Sequence, residues 1–352
     1  MTTPERVVAV TGVSGRWGRA VAEALLPMTG LRVLAIDAHP PQPRIKGLDF
    51  IKADIRNPLL VDLLRAEQVD TVVHLAWRER QRRREADFES NVLGTMQLLG
   101  VCVDAGVEQV VLRSTTAVYG ARPENPVYID ETFPVAARSS YACVRDMVEV
   151  EKFLAEFAAE FPELRIAVLR FANVVGADAD SPFTRLLRLP VIPSLLGFDP
   201  LLQLIDFEDA VAALVHSVLT RAGGVINVAA NEVVSLYQAA GIAGKPVLPI
   251  LHLAAYWTLP AAGALPGTRG ALRYWPLEPD YLRYPWTAST QRMRDDLGFE
   301  PVWTARQALE RFVQAQRIAP YVTPREAETY ADDDLAIVIE DRQRPLAAAQ
   351  ES

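Results

Sequence analysis

The stretch "RVVAVTGVSGRWG", residues 6 to 18, constrains this chain more than any other. An almost continuous β-branched run enters a turn with glycines at 12, 15 and 18, and a helical pattern leaves it over 16–27. A strand so uniformly apolar has to be covered on both faces, as strands of a parallel sheet are. Similar runs return at 31–37, 48–54, 69–76 and 107–114, with helical patterns at 57–67 and 87–105 between them. Strands alternating with helices predict an α/β fold built on a doubly wound parallel sheet. A long helix over 139–161 and strands at 165–171 and 223–230 continue the pattern.

Proline and glycine become dense in 176–200 and 240–286 and interrupt the alternation. The expected organisation is a dinucleotide-binding domain over 1–175, to which 200–230 returns, and a smaller lobe from 176–199 and 231–318. Two helices around "GFEP" are expected within 287–316, and 319–352 reads as a loose acidic tail. The apolar stretch 246–267 holds four prolines, so it reads as buried or interfacial structure and not as a membrane span. No signal-peptide pattern opens the chain. Two cysteines, Cys102 and Cys143, cannot make a disulfide framework and have no metal-ligand spacing, so a reducing cytoplasm and no metal are expected. The net charge of −8 argues against nucleic acid as a partner.

A glycine-rich turn between a strand and a helix lets backbone amides approach a pyrophosphate at the helix N-terminus. Gly12, Gly15 and Gly18, with Arg16 and Trp17 between them, are therefore read as cofactor-binding. Asp37 ends the second strand and can accept hydrogen bonds from adenosine ribose hydroxyls while repelling a 2′-phosphate. That favours NAD over NADP, although Arg44 is not far along the chain. Asp54 follows the third strand, beside Ile55, and is read either as touching the adenine edge or as capping the next helix.

With these residues placed, the chain resembles the extended short-chain dehydrogenases/reductases, in the NAD-dependent epimerase/dehydratase branch that includes nucleotide-sugar enzymes. "TGVSGRWG" is similar to that branch's TGxxGxxG turn, "VVHLAW" (72–77) to its fourth strand, and "NVLGTMQLL" (91–99) to the helix that follows. "RSTTAVYG" (113–120), "YACVRDMVEVEKFL" (141–154), "LRFANVVG" (169–176) and "LIDFEDAVAAL" (204–214) complete the resemblance over about residues 6–316. It implies that Leu75 and Ala76 pass the cofactor and that Thr115 is the catalytic hydroxyl. It further implies that Tyr141 is the acid/base and that Arg145 stands where the family has lysine. Asn91 and Asn173 fall on structural or substrate-contacting asparagines. A homodimer through helices 87–105 and 139–161 is likewise implied.

Oxidising an alcohol with NAD needs a base for the hydroxyl proton. Free tyrosine, with a pKa near ~10, is too weak unless a cation favours its phenolate. Residues four apart share a helix face, so Arg145 can serve Tyr141 and bind cofactor, or turn outward to Glu149. Arginine keeps the charge but, unlike lysine, is never deprotonated. Thr115 either orients the reacting oxygen or satisfies the end of its strand.

Trp77 is read as narrowing a substrate pocket, and His74 as a core histidine. The arginines of "WRERQRRRE" (77–85) form a solvated, charge-mixed loop or face a substrate diphosphate. Arg185, Arg188 and Arg283 are candidate diphosphate clamps, and "YWPLEPDYLRYPW" (274–286) is either lobe core or a stacking platform. The expected function is hydride transfer at a secondary alcohol or its ketone, led by a nucleotide-sugar epimerase or dehydratase. A dehydrogenase of a sugar or sterol-like alcohol and a non-catalytic NAD-binding regulator are the alternatives.

Overall fold

A computed structural model describes residues 6–78, 85–137, 142–177, 179, 181–252, 254 and 278–318. Its centre is a seven-stranded sheet of β1 (Arg6–Thr11), β2 (Leu31–Asp37), β3 (Asp49–Lys52), β4 (Val69–His74), β5 (Gln109–Thr115), β6 (Arg165–Phe171) and β10 (Gly224–Val228). The spatial order is β3-β2-β1-β4-β5-β6-β10, and every pairing is parallel. The order reverses between β1 and β4, which opens a crevice at the carboxyl ends of the strands.

Alternation along the strands feeds two cores. Val8 and Val10 of β1 and Val111 of β5 pack with helices α1 (Arg16–Leu25) and α7 (Phe207–Leu219) on one face. Val7, Ala9, Val110 and Leu112 pack on the other with α2 (Leu60–Ala66), α4 (Gly94–Ala105) and α5 (Ala142–Glu160). Before α4 come a short α3 (Glu85–Phe88) and a wide π-helical turn, Glu89–Leu93. The pattern at 87–105 is thus helical throughout, but not uniformly α.

A third core belongs to the later part of the chain. Strands β7 (Asn173–Val175), β9 (Leu201–Asp206) and β11 (Val233–Ser235) make one small sheet, and β8 (Ile192–Leu195) with β12 (Val247–Ile250) another. They pack with α6 (Pro182–Arg188), α8 (Leu236–Ala243) and α10 (Ala305–Ile318), around Phe183, Leu204, Trp286 and Phe312. The two helices expected around "GFEP" are α9 (Gln291–Asp295) and α10. The tail at 319–352 and most of 253–277 lie outside the described residues. No helix among the described residues is long and apolar enough to cross a membrane.

Candidate active site

The glycine turn is shaped by close approach. Gly12 has φ +76°, and a Cβ there would lie 2.5 Å from the backbone of Leu75 and Ala76. A Cβ on Gly18 would lie 2.3 Å from the Gly12 carbonyl oxygen. Side chains at either position would fill a cradle that the backbone leaves open. Gly15 caps α1 without a side-chain bond, and no acidic residue occupies the first turn. The amides of that turn have no intrahelical acceptors and face an anion favourably. A dinucleotide pyrophosphate fits this arrangement.

Two cavities meet at the turn and share Gly15, Leu75 and Trp77 in their walls. The smaller, about 170 Å³, is lined by Gly12, Ser14, Asp37, His39, Asp54, Ile55 and Ala76 among others. Asp37 Oδ2 accepts from the Ser14 amide at 2.9 Å and the Ser14 hydroxyl at 2.7 Å, and Oδ1 accepts from the His39 amide at 3.0 Å. The carboxylate therefore braces the turn from the end of β2 and still reaches the cavity wall. Asp54 pairs with Arg56 at 2.8 Å, which holds its carboxyl down to about 2. The expectation that Asp54 might cap a helix is corrected: α2 starts only at Leu60, with Leu59 as its cap, because Pro58 and the Asn57 turn intervene. Arg44 is exposed and does not line the cavity.

The larger cavity, about 410 Å³, is of the size that small-molecule sites have. Its wall takes Arg16, Trp17, Trp77, Arg113, Thr115, Cys143, Phe171, Asn173, Arg185, Phe207, Tyr281 and Trp286, from elements far apart in sequence. Rings and guanidiniums alternate across it. Arg113 lies over Trp17 at 4.6 Å, Trp17 meets Phe207 edge-on at 5.0 Å, and Arg16 lies over Phe207 at 3.7 Å. The indole Nε1 atoms of Trp77 and Trp286 are buried without an acceptor among the described residues. Buried donors left unpaired are costly.

Thr115 ends β5 in this wall, and its Oγ1 accepts from the Ala117 amide at 3.3 Å, holding the short 3₁₀ turn Thr116–Tyr119. Thr115 thus satisfies the end of its strand and also lines the cavity. Tyr141 lies outside the described residues. Helix α5 begins one residue later, with Cys143, Val144 and Met147 in the cavity wall. Arg145 is exposed and does not line the cavity, and its alternative partner Glu149 sits 3.5 Å from Lys152. Asn173 donates to the Gln203 carbonyl at 3.0 Å and lines the cavity, as does Arg185 on α6. Arg188 turns away, donating to the Ala179 carbonyl at 2.9 Å and lying over Phe312. Arg283 contacts His252 at 2.9 Å and the rings of Phe198 and Tyr284, and is not in the cavity wall. Of "WRERQRRRE", residues 79–84 lie outside the described residues.

The floor between the cavities is a chain of buried hydrogen bonds. The Leu75 and Ala76 amides donate to Thr11 Oγ1 at 3.2 and 3.3 Å, and Thr11 Oγ1 lies 2.8 Å from His74 Nδ1. His74 Nε2 lies 2.9 Å from Thr95 Oγ1, which donates to the Asn91 carbonyl at 2.5 Å. With the Thr95 proton committed to Asn91, Nε2 must be the donor and Nδ1 the acceptor, so His74 is neutral. Complete burial agrees, lowering its pKa to about 4. Asn91 also clasps both backbone groups of Arg78 and donates to Asp146, joining the loop after β4 to α5. Tyr119 is fully buried, donates to Asn227 at 2.8 Å and accepts from Arg170 at 2.6 Å. Burial pushes it up to about 12, and it belongs to a network with Arg170, Glu151 and Ser114, not to the cavity.

Sequence reasoning missed Arg113 and Phe207 as parts of the cavity wall; Trp286, in the wall, belongs to the stretch 274–286 read as lobe core or a stacking platform. Arg113 carried a usable signal: a charged residue inside an apolar strand, two before Thr115 and so on the same face.

Comparison with known proteins agrees with this arrangement. A family model described as the NAD dependent epimerase/dehydratase family matches residues 8–229. An uncharacterised protein of Mycobacterium tuberculosis is 32% identical over 338 residues, covering 92% of this chain and 88% of that one. The dTDP-6-deoxy-L-talose 4-dehydrogenase (NAD(+)) of Aggregatibacter actinomycetemcomitans is 26% identical over 246 residues, 66% of this chain and 87% of that one. The fold is similar to that of a Thermus thermophilus UDP-glucose 4-epimerase solved with NAD, with a TM-score of 0.65 and 24% identity over 88% of this chain and 99% of that one. The glycine cradle, the braced Asp37 and the paired cavities remain the candidate site; the chain itself is an NAD-dependent enzyme and belongs to the NAD dependent epimerase/dehydratase family.

Proposed function

We propose that the enzyme acts on a nucleotide sugar, as an epimerase or dehydratase, in the larger cavity. The observation that carries this reading is the wall itself. It continues from the dinucleotide turn, presents Thr115, and combines Arg16 and Arg185 with aromatic rings. No carboxylate occurs among the described lining residues. A substrate with anionic phosphates and many acceptor oxygens matches such a surface, since guanidiniums bind phosphates as paired donors.

NAD, when bound, accepts a hydride and can return it. The protein supplies the rest. Tyr141 takes the hydroxyl proton as the carbon is oxidised and returns one on reduction. Thr115 hydrogen-bonds the reacting oxygen and fixes its direction. The aromatic wall excludes water and holds the sugar face. A homodimer through α4 and α5 is part of the same reading, supported by exposed Leu93 in the turn before α4, half-buried Val101 on α4 and half-buried Phe153 on α5.

The test is turnover of UDP-glucose and dTDP-glucose, followed by product NMR, in the wild type and in Tyr141→Phe. An epimer or a dehydrated sugar is expected. The variant should lose on the order of 100-fold or more in turnover while still binding NAD. Undiminished turnover in the variant contradicts the reading. Net accumulation of NADH with an oxidised sugar favours the dehydrogenase alternative, for which the similarity to the talose dehydrogenase speaks.

A further inference from the structure

The family pattern puts the supporting cation on the helix, four residues after the tyrosine. Here that residue, Arg145, is exposed and absent from the cavity wall. A different cation is in the wall. Arg113 is half-buried on β5, lies over Trp17 at 4.6 Å, and shares its strand face with Thr115. Its neighbours across the sheet, Leu169 beside Arg113 and Phe171 beside Thr115, place it beneath the carboxyl ends of β5 and β6.

The two cavities bear on which part of a bound cofactor this charge would face. Asp37 would hold the adenosine end in the smaller cavity, and the amides at Gly15 the pyrophosphate. The other half of the dinucleotide would then reach past Leu75 into the larger cavity, whose wall includes Arg113. An exposed guanidinium is screened by water and salt, whereas one in a partly dry wall acts at lower effective dielectric.

We propose that Arg113, on the strand, and not Arg145, on the helix, is the cation that sets the field at the nicotinamide end of the site. The inference rests on the reading that the larger cavity receives that end. A fixed positive charge there disfavours the oxidised ring, which is itself cationic, relative to the reduced ring, which is neutral. Arg113 thereby tilts the bound cofactor toward its reduced form.

The experiment measures dissociation constants of NAD⁺, NADH and ADP-ribose by calorimetry for the wild type, Arg113→Met, Arg113→Lys and Arg145→Met. In Arg113→Met the ratio of the NAD⁺ constant to the NADH constant should fall on the order of tenfold. Arg113→Lys should keep it within roughly twofold of wild type, because the charge remains. Arg145→Met should keep it too. ADP-ribose, which lacks the ring, should bind Arg113→Met as it binds wild type. An unchanged ratio in folded Arg113→Met overturns the proposal. So does a parallel loss of all three ligands, which would make Arg113 a pyrophosphate contact, and so does a changed ratio in Arg145→Met alone. Should Arg113→Met fold poorly by circular dichroism, Arg113→Gln carries the same expectation. Cys143→Trp, which fills the larger cavity, separates the underlying reading: it should weaken NAD⁺ and spare ADP-ribose. Equal binding of both by that variant means the nicotinamide end lies elsewhere.

Discussion

The two cavities that meet at the glycine turn differ in charge and in construction. The smaller one presents two carboxylates beside the guanidinium of Arg78: Asp37, held by Ser14 and the His39 amide, and Asp54, held by Arg56. The larger one presents guanidiniums, Arg16, Arg113 and Arg185, the first two lying over rings, in a wall drawn from segments far apart in sequence. The first is suited to ribose hydroxyls, which donate to carboxylates. The second is suited to phosphates and to ligand oxygens, which accept. A single crevice built this way suits the two ends of a dinucleotide differently.

This contrast can be broken at either end. The largest effect expected is at the adenosine side. Asp37→Ala removes a charged acceptor and the brace on Ser14, so affinity for NAD⁺, NADH and ADP-ribose should each fall roughly 10- to 100-fold by calorimetry. The ratio between the two redox forms should stay fixed, unlike in Arg113→Met, and the preference for NAD over NADP should shrink. An unchanged preference would remove Asp37 from the cofactor assignment.

A smaller effect is expected from the floor that both cavities share. His74 stays neutral in the folded protein down to about pH 4. An unfolded histidine takes up its proton near pH ~6.5. Between those values the unfolded state binds more protons, so stability is full above the upper one and is lost as pH falls toward the lower. The loss attributable to His74 is about 3 kcal/mol at most. Urea unfolding at a series of pH values should show this slope in the wild type and a shallower one in His74→Gln. Identical slopes would mean that other groups carry the acid sensitivity. Because Thr11 leans on His74 and holds Leu75 and Ala76, the substitution should weaken NAD and ADP-ribose together.

The same contrast explains what could be read from the sequence. The adenosine side was legible because its parts are local. Strand β1, the glycines and α1 are contiguous, and Asp37 is fixed by being last in β2. All seven strands of the large sheet were visible in the sequence; the inner ones are apolar runs because burial on both faces leaves little room for polar residues, while the edge strand β3 is partly exposed. The larger cavity was legible only in part: Trp77, Thr115, Asn173 and Arg185 were named, but Arg113 and Phe207 join them only through long-range packing. Arg283 looked equivalent to Arg185 in sequence, yet His252 and two rings hold it off the cavity. The small strands β7, β8, β11 and β12 have three or four residues each, too few to show a period. Asp54 misled as a cap because the turn at Asn57–Pro58 delays α2 to Leu60.

The central claim is that one dinucleotide bridges these two cavities, with its nicotinamide half facing Arg113 and Thr115. A crystal structure of the protein with NAD tests it most directly. The account predicts the adenosine ribose on Asp37, the pyrophosphate on the amides that begin α1, and the nicotinamide in the larger cavity. A nicotinamide outside that cavity, or an adenosine away from Asp37, would contradict it.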